Sequence, residues 1–359
     1  MSSFSKPIHR IIPLGFLLGV IVLALSGCDA KPARPWHYTG ATMGTYYSVK
    51  VVNPVEGKGS SDIVREFLAY DIERILTGID DSMSTYREES ELSRFNAATS
   101  TDWFPISRDL YTVVAEALEV SRLTDGAFDV TIGPLVNLWG FGPPAPPMAP
   151  DGQPPVDEAA VRGALARIGY QKIRLRADPP AIAKKASGVY VDLSAIAKGF
   201  AVDKIAQYLE RKGISGYLVD IGGELRAKGT KPDGKPWRVA IEKPTPGGRA
   251  VHRVITIDGQ AVATSGDYRN YFERDGKRYS HTIDPKTGYP VTHDLASVTI
   301  IAPSAMRADA LATAFSVLGP EIGYRLARQK KIPAWFISRS GARFKDRHTS
   351  AFARFMVEQ

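Results

Sequence analysis

The sequence predicts an α+β fold, with antiparallel sheets and helices packed against them. Three observations point there. Runs of alternating apolar and polar residues crowd together from Trp237 to Thr299, joined by the tight-turn sequences "RDGK" and "DPKTG". Segments of helical period lie before and after these runs rather than between successive strands, which argues against a doubly wound parallel sheet. No internal repeat and no heptad pattern interrupts the chain. Its 359 residues are 44% hydrophobic and 23% charged, an ordinary globular composition. The net charge of +8 favours acidic partners, but the Lys and Arg are scattered, so no nucleic-acid partner is expected.

The elements follow in order. "KPIHR" and the apolar run "IIPLGFLLGVIVLAL" lead to "LSGC", which resembles a bacterial lipoprotein signal. Residues 1–27 are then a signal peptide, Cys28 carries lipid, and 28–37 form a tether to a domain spanning 38–359. Asp29 after the cysteine suggests retention at the inner membrane, on its periplasmic side. Cys28 is the only cysteine, so internal disulfides are excluded.

"GTYYSVKVV" alternates like a strand, and Asp62 to Ile79 reads as a helix ending near Gly78. Ser107 caps a second helix, closed by Gly126. Phe141 to Pro155 is a Pro- and Gly-rich loop. "VYVDL" reads as a strand entering the helix "SAIAKGFAVDKIAQYLERKG", with Ser194 as its cap. "GYLVDIGGELRAKG" reads as strand, glycine-marked bulge, strand. "MRADALATAFSVLG" is a further helix, and "AWFIS" and "RFMVE" read as closing strands.

Several chemistries are absent. There is no GxGxxG after a strand, no GxxxxGK[ST], no HExxH and no GxSxG, and a Cys-based zinc site is excluded. Four stretches remain. In "DGAFDVTIGPL", Asp129 follows Phe128 just after a helix-ending glycine; this is either a ligand contact or a plain turn. In "VDLSAIAKG", Asp192 and Lys198 flank a helix N-terminus suited to an anion, or simply to a capped helix with a solvated lysine. In "SHTIDPKTG", His281 stands beside a tight turn, as acid, base or surface residue. In the helix "MRADALATAFSVLG", Asp309 and Thr313 share one face at i and i+4. They form either a solvated stripe or two oxygen donors for Mg²⁺, which fills its remaining positions with water and phosphate.

Together these stretches resemble the ApbE family of FAD:protein FMN transferases. The matching pieces are "TMGTYYSV", "MSTYREESELSRFN", "DGAFDVTIGPL", "VDLSAIAKGFAVDKI", "LVDIGGELRAKG", "ATSGDYRNYF", "SHTIDPKTGYPV" and "ADALATAFSVLG", in the family's order. The resemblance implies a tunnelling-fold-like α+β architecture. It also implies Mg²⁺-dependent transfer of FMN from FAD to a Thr or Ser hydroxyl of an acceptor protein, releasing AMP. Met43, Tyr86, Ala127, Phe128, Asp129, Asp192, Lys198 and Ile283 match FAD-contact positions. Ala195, through its carbonyl, matches the metal position together with Asp309 and Thr313. His281 is the expected base, with Asp309 second. The acceptor would be a subunit of a membrane redox complex. Alternatives are an FAD pyrophosphatase and a non-catalytic FAD-binding lipoprotein.

Overall fold

The computed structural model describes residues 35–52, 61–142, 156–245, 250–267, 271–274, 277–341 and 343–357. The lipoprotein signal, Cys28, most of the tether, most of the Pro-rich loop and the tip of "RDGK" lie outside the described residues. Pro35–Gln359 forms one compact unit, and its first strand begins at Trp36, within the stretch read as tether.

The strands are β1 Trp36–Thr42, β2 Thr45–Val51, β3 Phe104–Pro105, β4 Ile173–Ala177, β5 Pro180–Lys184, β6 Tyr217–Ile221, β7 Glu224–Lys228, β8 Trp237–Glu242, β9 Val251–Ile257, β10 Ala261–Gly266, β11 Tyr271–Arg274, β12 Lys277–Ser280, β13 Leu295–Ala302, β14 Ala334–Ser340 and β15 Arg343–His348. The helices are α1 Ser61–Met83, α2 Glu91–Ala97, α3 Arg108–Leu123, α4 Gly133–Leu138, α5 Glu158–Leu165, α6 Ala197–Arg211, α7 Ala305–Gln329 and α8 Ser350–Ala353. An eight-stranded sheet runs in the order β1-β2-β6-β7-β10-β13-β14-β15, every neighbouring pair antiparallel. The α+β expectation holds.

Both faces of this sheet are covered. On one face Val49, Val219, Ile221, Ala263, Val298 and Ile300 join α1, α3, α6 and α7 in the main core. On the other, Ala227, Val262, Ile301 and Trp335 pack with the β8–β9 hairpin and with Phe352 of α8. The central strand β13 is accordingly buried at every position. It reads as a continuous apolar run because neither face meets water.

Several local expectations are corrected. Helix α1 runs through Gly78 to Met83, because Ile79 and Met83 are buried and their packing outweighs one glycine. "VYVDL" is buried but joins no ladder; the Asn96 side chain instead takes both the N–H and the C=O of Val191, each at 2.8 Å. Gly222 and Gly223, both at positive φ, make a two-residue hairpin turn rather than a bulge. β15 and α8 follow β14; "RFMVE" forms no named strand among the described residues, its Met356 bridging Ile255 of β9. Helix α7 is broken at Gly319 (φ 74°), with Pro320 restarting it.

Candidate functional site

The site grows from the crossing of α6 and α7. Helix α6 begins at Ala197, two residues later than a Ser194 cap would place it, and Ile196 at its cap position makes no side-chain bond. Ser194 is not the cap. Its N–H and its hydroxyl both donate to Asp192 Oδ1, at 2.8 and 2.5 Å, which folds residues 192–196 into a tight turn. The N-terminus of α6 is therefore capped from elsewhere: the Gly199 N–H donates to Asp309 Oδ2 on α7 at 3.1 Å. The favour is returned. Asp203 on α6 accepts from the N–H groups of Ala305 and Met306, at 3.0 and 2.9 Å, at the start of α7. Each helix carries the carboxylate that satisfies the other's unbonded amides. This crossing demands a glycine: a Cβ on Gly199 would lie 2.3 Å from the Ala305 carbonyl oxygen.

Beside this crossing sit three titratable side chains, of which Glu224 and Asp309 are buried. Lys198 Nζ lies 2.8 Å from Glu224 Oε2, and the Glu224 side chain is 5% exposed. Lys198 keeps 28% of its side chain accessible, so the cluster opens to solvent on the lysine side. Asp309 is buried. Burial and then the Asp309 charge push the Glu224 carboxyl from 4.5 up to about 8, against the pull of Lys198. Burial also raises Asp309, opposed by Lys198 and the Gly199 N–H. Burial works against the Lys198 ammonium, but Asp309 and Glu224 outweigh it and hold its pKa above the ordinary lysine value. Two carboxyls share one ammonium here, and the one on Glu224 keeps its proton up to about pH 8.

The hairpin tips of β1–β2 and β6–β7 meet at this end of the sheet. A Cβ on Gly222 would lie 2.9 Å from Thr45 and 3.5 Å from Glu224 Oε2. Met43 occupies the tip of the first hairpin at φ 47°, a left-handed position where Asn or Gly is usual. Burial raises the Asp80 carboxyl of α1, opposed in part by Arg87 and the Met43 backbone N–H. Thr313 is half-buried, one turn beyond Asp309, and Ala195 lies in the turn before α6. Among the described residues no group of three or more His, Cys, Asp or Glu side chains is placed to hold a metal. The expected donor set contains only one such side chain, the others being a hydroxyl and a carbonyl.

The "DGAFDV" stretch adjoins the Asp192 turn, the Asp192 N–H donating to the Val130 carbonyl at 2.7 Å. Asp129 is buried with both oxygens engaged: Oδ1 accepts from the Thr131 N–H and hydroxyl, at 2.8 and 2.6 Å, and Oδ2 from the Tyr170 N–H at 2.8 Å. Ala127 and Phe128 are buried beside it. Tyr86 is 71% exposed. Ile283 is buried in a small cluster with Leu135, Trp139 and Val161. His281 is half-buried, its ring edge-on to Phe141 at 6.3 Å.

Sequence reasoning missed Glu224 and Asp203. The available signal was the alternation in "GGELRAKG", where Glu224 and Arg226 share one face of a strand with both faces covered; Arg226 Nη1 pairs with Asp203 at 2.9 Å.

Fold and site define an α+β protein with a carboxylate–ammonium centre built onto a helix N-terminus. The chain belongs to the ApbE family, whose family model matches residues 43–336. It is 47% identical over 335 residues to a protein of Vibrio cholerae named FAD:protein FMN transferase, covering 93% of this chain and 96% of that one. A Haemophilus influenzae protein of the same name is 44% identical over 344 residues, covering 95% and 96%. Among solved structures, the flavin transferase ApbE from Vibrio cholerae superposes with a TM-score of 0.81 at 43% identity, covering 90% of this chain and all of that one. The apo form of the Pseudomonas stutzeri flavinyl transferase ApbE gives 0.80 at 42% identity, covering 90% and 97%.

Proposed function

We propose that this protein transfers the FMN moiety of FAD to a Thr or Ser hydroxyl of an acceptor protein and releases AMP. The observation that carries the reading is the Gly199–Asp309 bond, which brings the "DLSAIAKG" turn and the "ADALAT" helix into one centre with Lys198 and Glu224. The names of the relatives agree with it.

Mg²⁺ fits the residues present. Asp309, the Thr313 hydroxyl and the Ala195 carbonyl are hard oxygen donors. When bound, the ion offsets charge on the pyrophosphate and the leaving AMP. The chain's own residues do the rest. Lys198, at the second position of α6, meets a phosphate oxygen with its ammonium beside the helix N-terminus. The turn held by Asp192 aligns the backbone that faces the pyrophosphate. His281 accepts the proton of the acceptor hydroxyl; that oxygen bonds to the FMN-side phosphorus, and the phosphorus–oxygen bond to AMP breaks. Met43 and Tyr86 belong to the FAD-facing surface, with Phe128 and Ile283 supporting it from the cores.

We further propose that the protein is lipid-anchored through Cys28 at the periplasmic side of the inner membrane, where a membrane redox-complex subunit would serve as acceptor. Incubation with FAD, Mg²⁺ and a candidate acceptor domain tests the activity, read by in-gel flavin fluorescence and AMP release. Labelled acceptor with stoichiometric AMP is the expected result. AMP without label indicates hydrolysis, and no AMP indicates a binding protein; either outcome refutes transfer. Incorporation of labelled palmitate, lost in Cys28→Ala, tests the anchor.

A further inference from the structure

Glu224 has one evident partner. It is the first residue of β7, directly after the Gly222–Gly223 turn, and it points to the face covered by α6. Its Oε2 is buried, accepts no well-formed hydrogen bond among the described residues, and has one ion pair, with the Lys198 ammonium at 2.8 Å. Lys198 also lies within the electrostatic reach of Asp309, yet among the described residues it makes no ion pair within 4.0 Å of that carboxylate. Asp309 is held instead by the neighbouring Gly199 N–H, through Oδ2 alone. A lysine released from Glu224 would find Asp309 as the nearest alternative anion, and an ammonium on Asp309 competes directly with any metal there.

We propose that Glu224 is a positioning residue that holds the Lys198 ammonium off Asp309, so that the remaining Asp309 oxygen stays open to a divalent cation. The role rests on the metal reading given above. It assigns Glu224 no contact with the metal; its effect passes entirely through Lys198.

The test measures Mn²⁺ binding to the full-length chain in detergent, from the free-ion signal in electron paramagnetic resonance, without FAD or acceptor. Three proteins are compared: wild type, Glu224→Met, which keeps length but accepts no hydrogen bond, and the double variant Glu224→Met/Lys198→Met. Far-UV circular dichroism confirms that each is folded. Glu224→Met is expected to weaken Mn²⁺ binding by about 10–100-fold, the range for residues that orient a metal ligand. The double variant is expected to return to within about threefold of wild type, because the competing ammonium is gone. Recovery of this kind separates positioning from a general loss of structure.

Wild-type affinity in Glu224→Met overturns the proposal. So does a double variant as weak as Glu224→Met, which would make Glu224 a direct ligand. Wild type that binds no Mn²⁺ refutes the metal reading itself, a failure distinct from the other two.

Discussion

Gly199→Ala adds one methyl group where two helices touch. The new Cβ would lie 2.3 Å from the Ala305 carbonyl oxygen, 2.6 Å from its carbon and 2.7 Å from Met306 Cα. All three are backbone atoms, so no rotamer change relieves the clash; α6 and α7 must separate by about 1 Å to reach an ordinary C···O contact. That shift strains the reciprocal caps: Gly199 to Asp309 at 3.1 Å, and Ala305 and Met306 to Asp203 at 3.0 and 2.9 Å. Overpacking costs about 1–3 kcal/mol, and each weakened bond to a carboxylate about 1 kcal/mol or more. Against this, alanine gains about 1 kcal/mol in helix propensity. The net expectation is a loss of about 3–5 kcal/mol, a large part of a typical domain's stability. Urea unfolding followed by tryptophan fluorescence measures it, with the slope unchanged. Gly78→Ala is the control, since a Cβ there meets nothing within 4 Å; it should be neutral or stabilising by up to about 1 kcal/mol. If Gly199→Ala loses less than about 1 kcal/mol, the helix crossing described above is wrong.

Other outcomes follow from the same residues. Asp203→Ala leaves Arg226 half-buried without its 2.9 Å partner and removes the acceptor of the Ala305 and Met306 N–H groups, while the Ser304 cap of α7 remains; a loss of about 3–5 kcal/mol is expected in the same urea assay. Asp309→Asn keeps an acceptor for the Gly199 N–H but removes the charge; folding should survive while Mg²⁺-dependent AMP release falls about 100-fold or more. The metal-free protein should lose stability as pH rises from about 4.5 to about 8, because Glu224 holds its proton in the folded state and gives it up in the unfolded chain. Glu224→Gln should flatten that slope in thermal melts; an unchanged slope would refute the assigned titration. His281→Ala should slow FMN transfer to the acceptor by at least about 100-fold, with Mn²⁺ binding unchanged.

The sequence disclosed elements whose burial comes from one face. The alternation of "GTYYSVKVV" and the 3.6-residue period of "RDLYTVVAEALEV" each match the observed strand and helix. It misled where burial comes from two faces or from side chains distant in sequence. "VYVDL" looks like a strand because every second residue is apolar, yet its backbone partner is the Asn96 amide, 95 positions away. Glu224 and Arg226 look solvated because polar residues on an alternating strand usually face water. Here that face lies under α6, and their partners, Lys198 and Asp203, are more than twenty residues upstream. No local pattern announces such pairings. Asp309 was legible as an oddity in an Ala-rich helix, but its partner Gly199 was hidden in a segment read as a helix capped by Ser194.

The two caps explain why structure and site are hard to separate in this protein. Asp203 and Asp309 perform the same task at opposite ends of one helix crossing, but they are not equivalent. Asp203 spends both oxygens on backbone amides and a third contact on Arg226, so its charge is consumed by the fold. Asp309 spends one oxygen on Gly199, and the adjacent ammonium is drawn to Glu224 instead. A carboxylate buried with one oxygen unspent is costly unless a cation arrives. The fold tolerates that cost because the same residue closes the α6 N-terminus. Removing Asp309 to relieve the buried charge would therefore uncap the helix, and keeping it leaves the oxygen that the proposed metal site calls for.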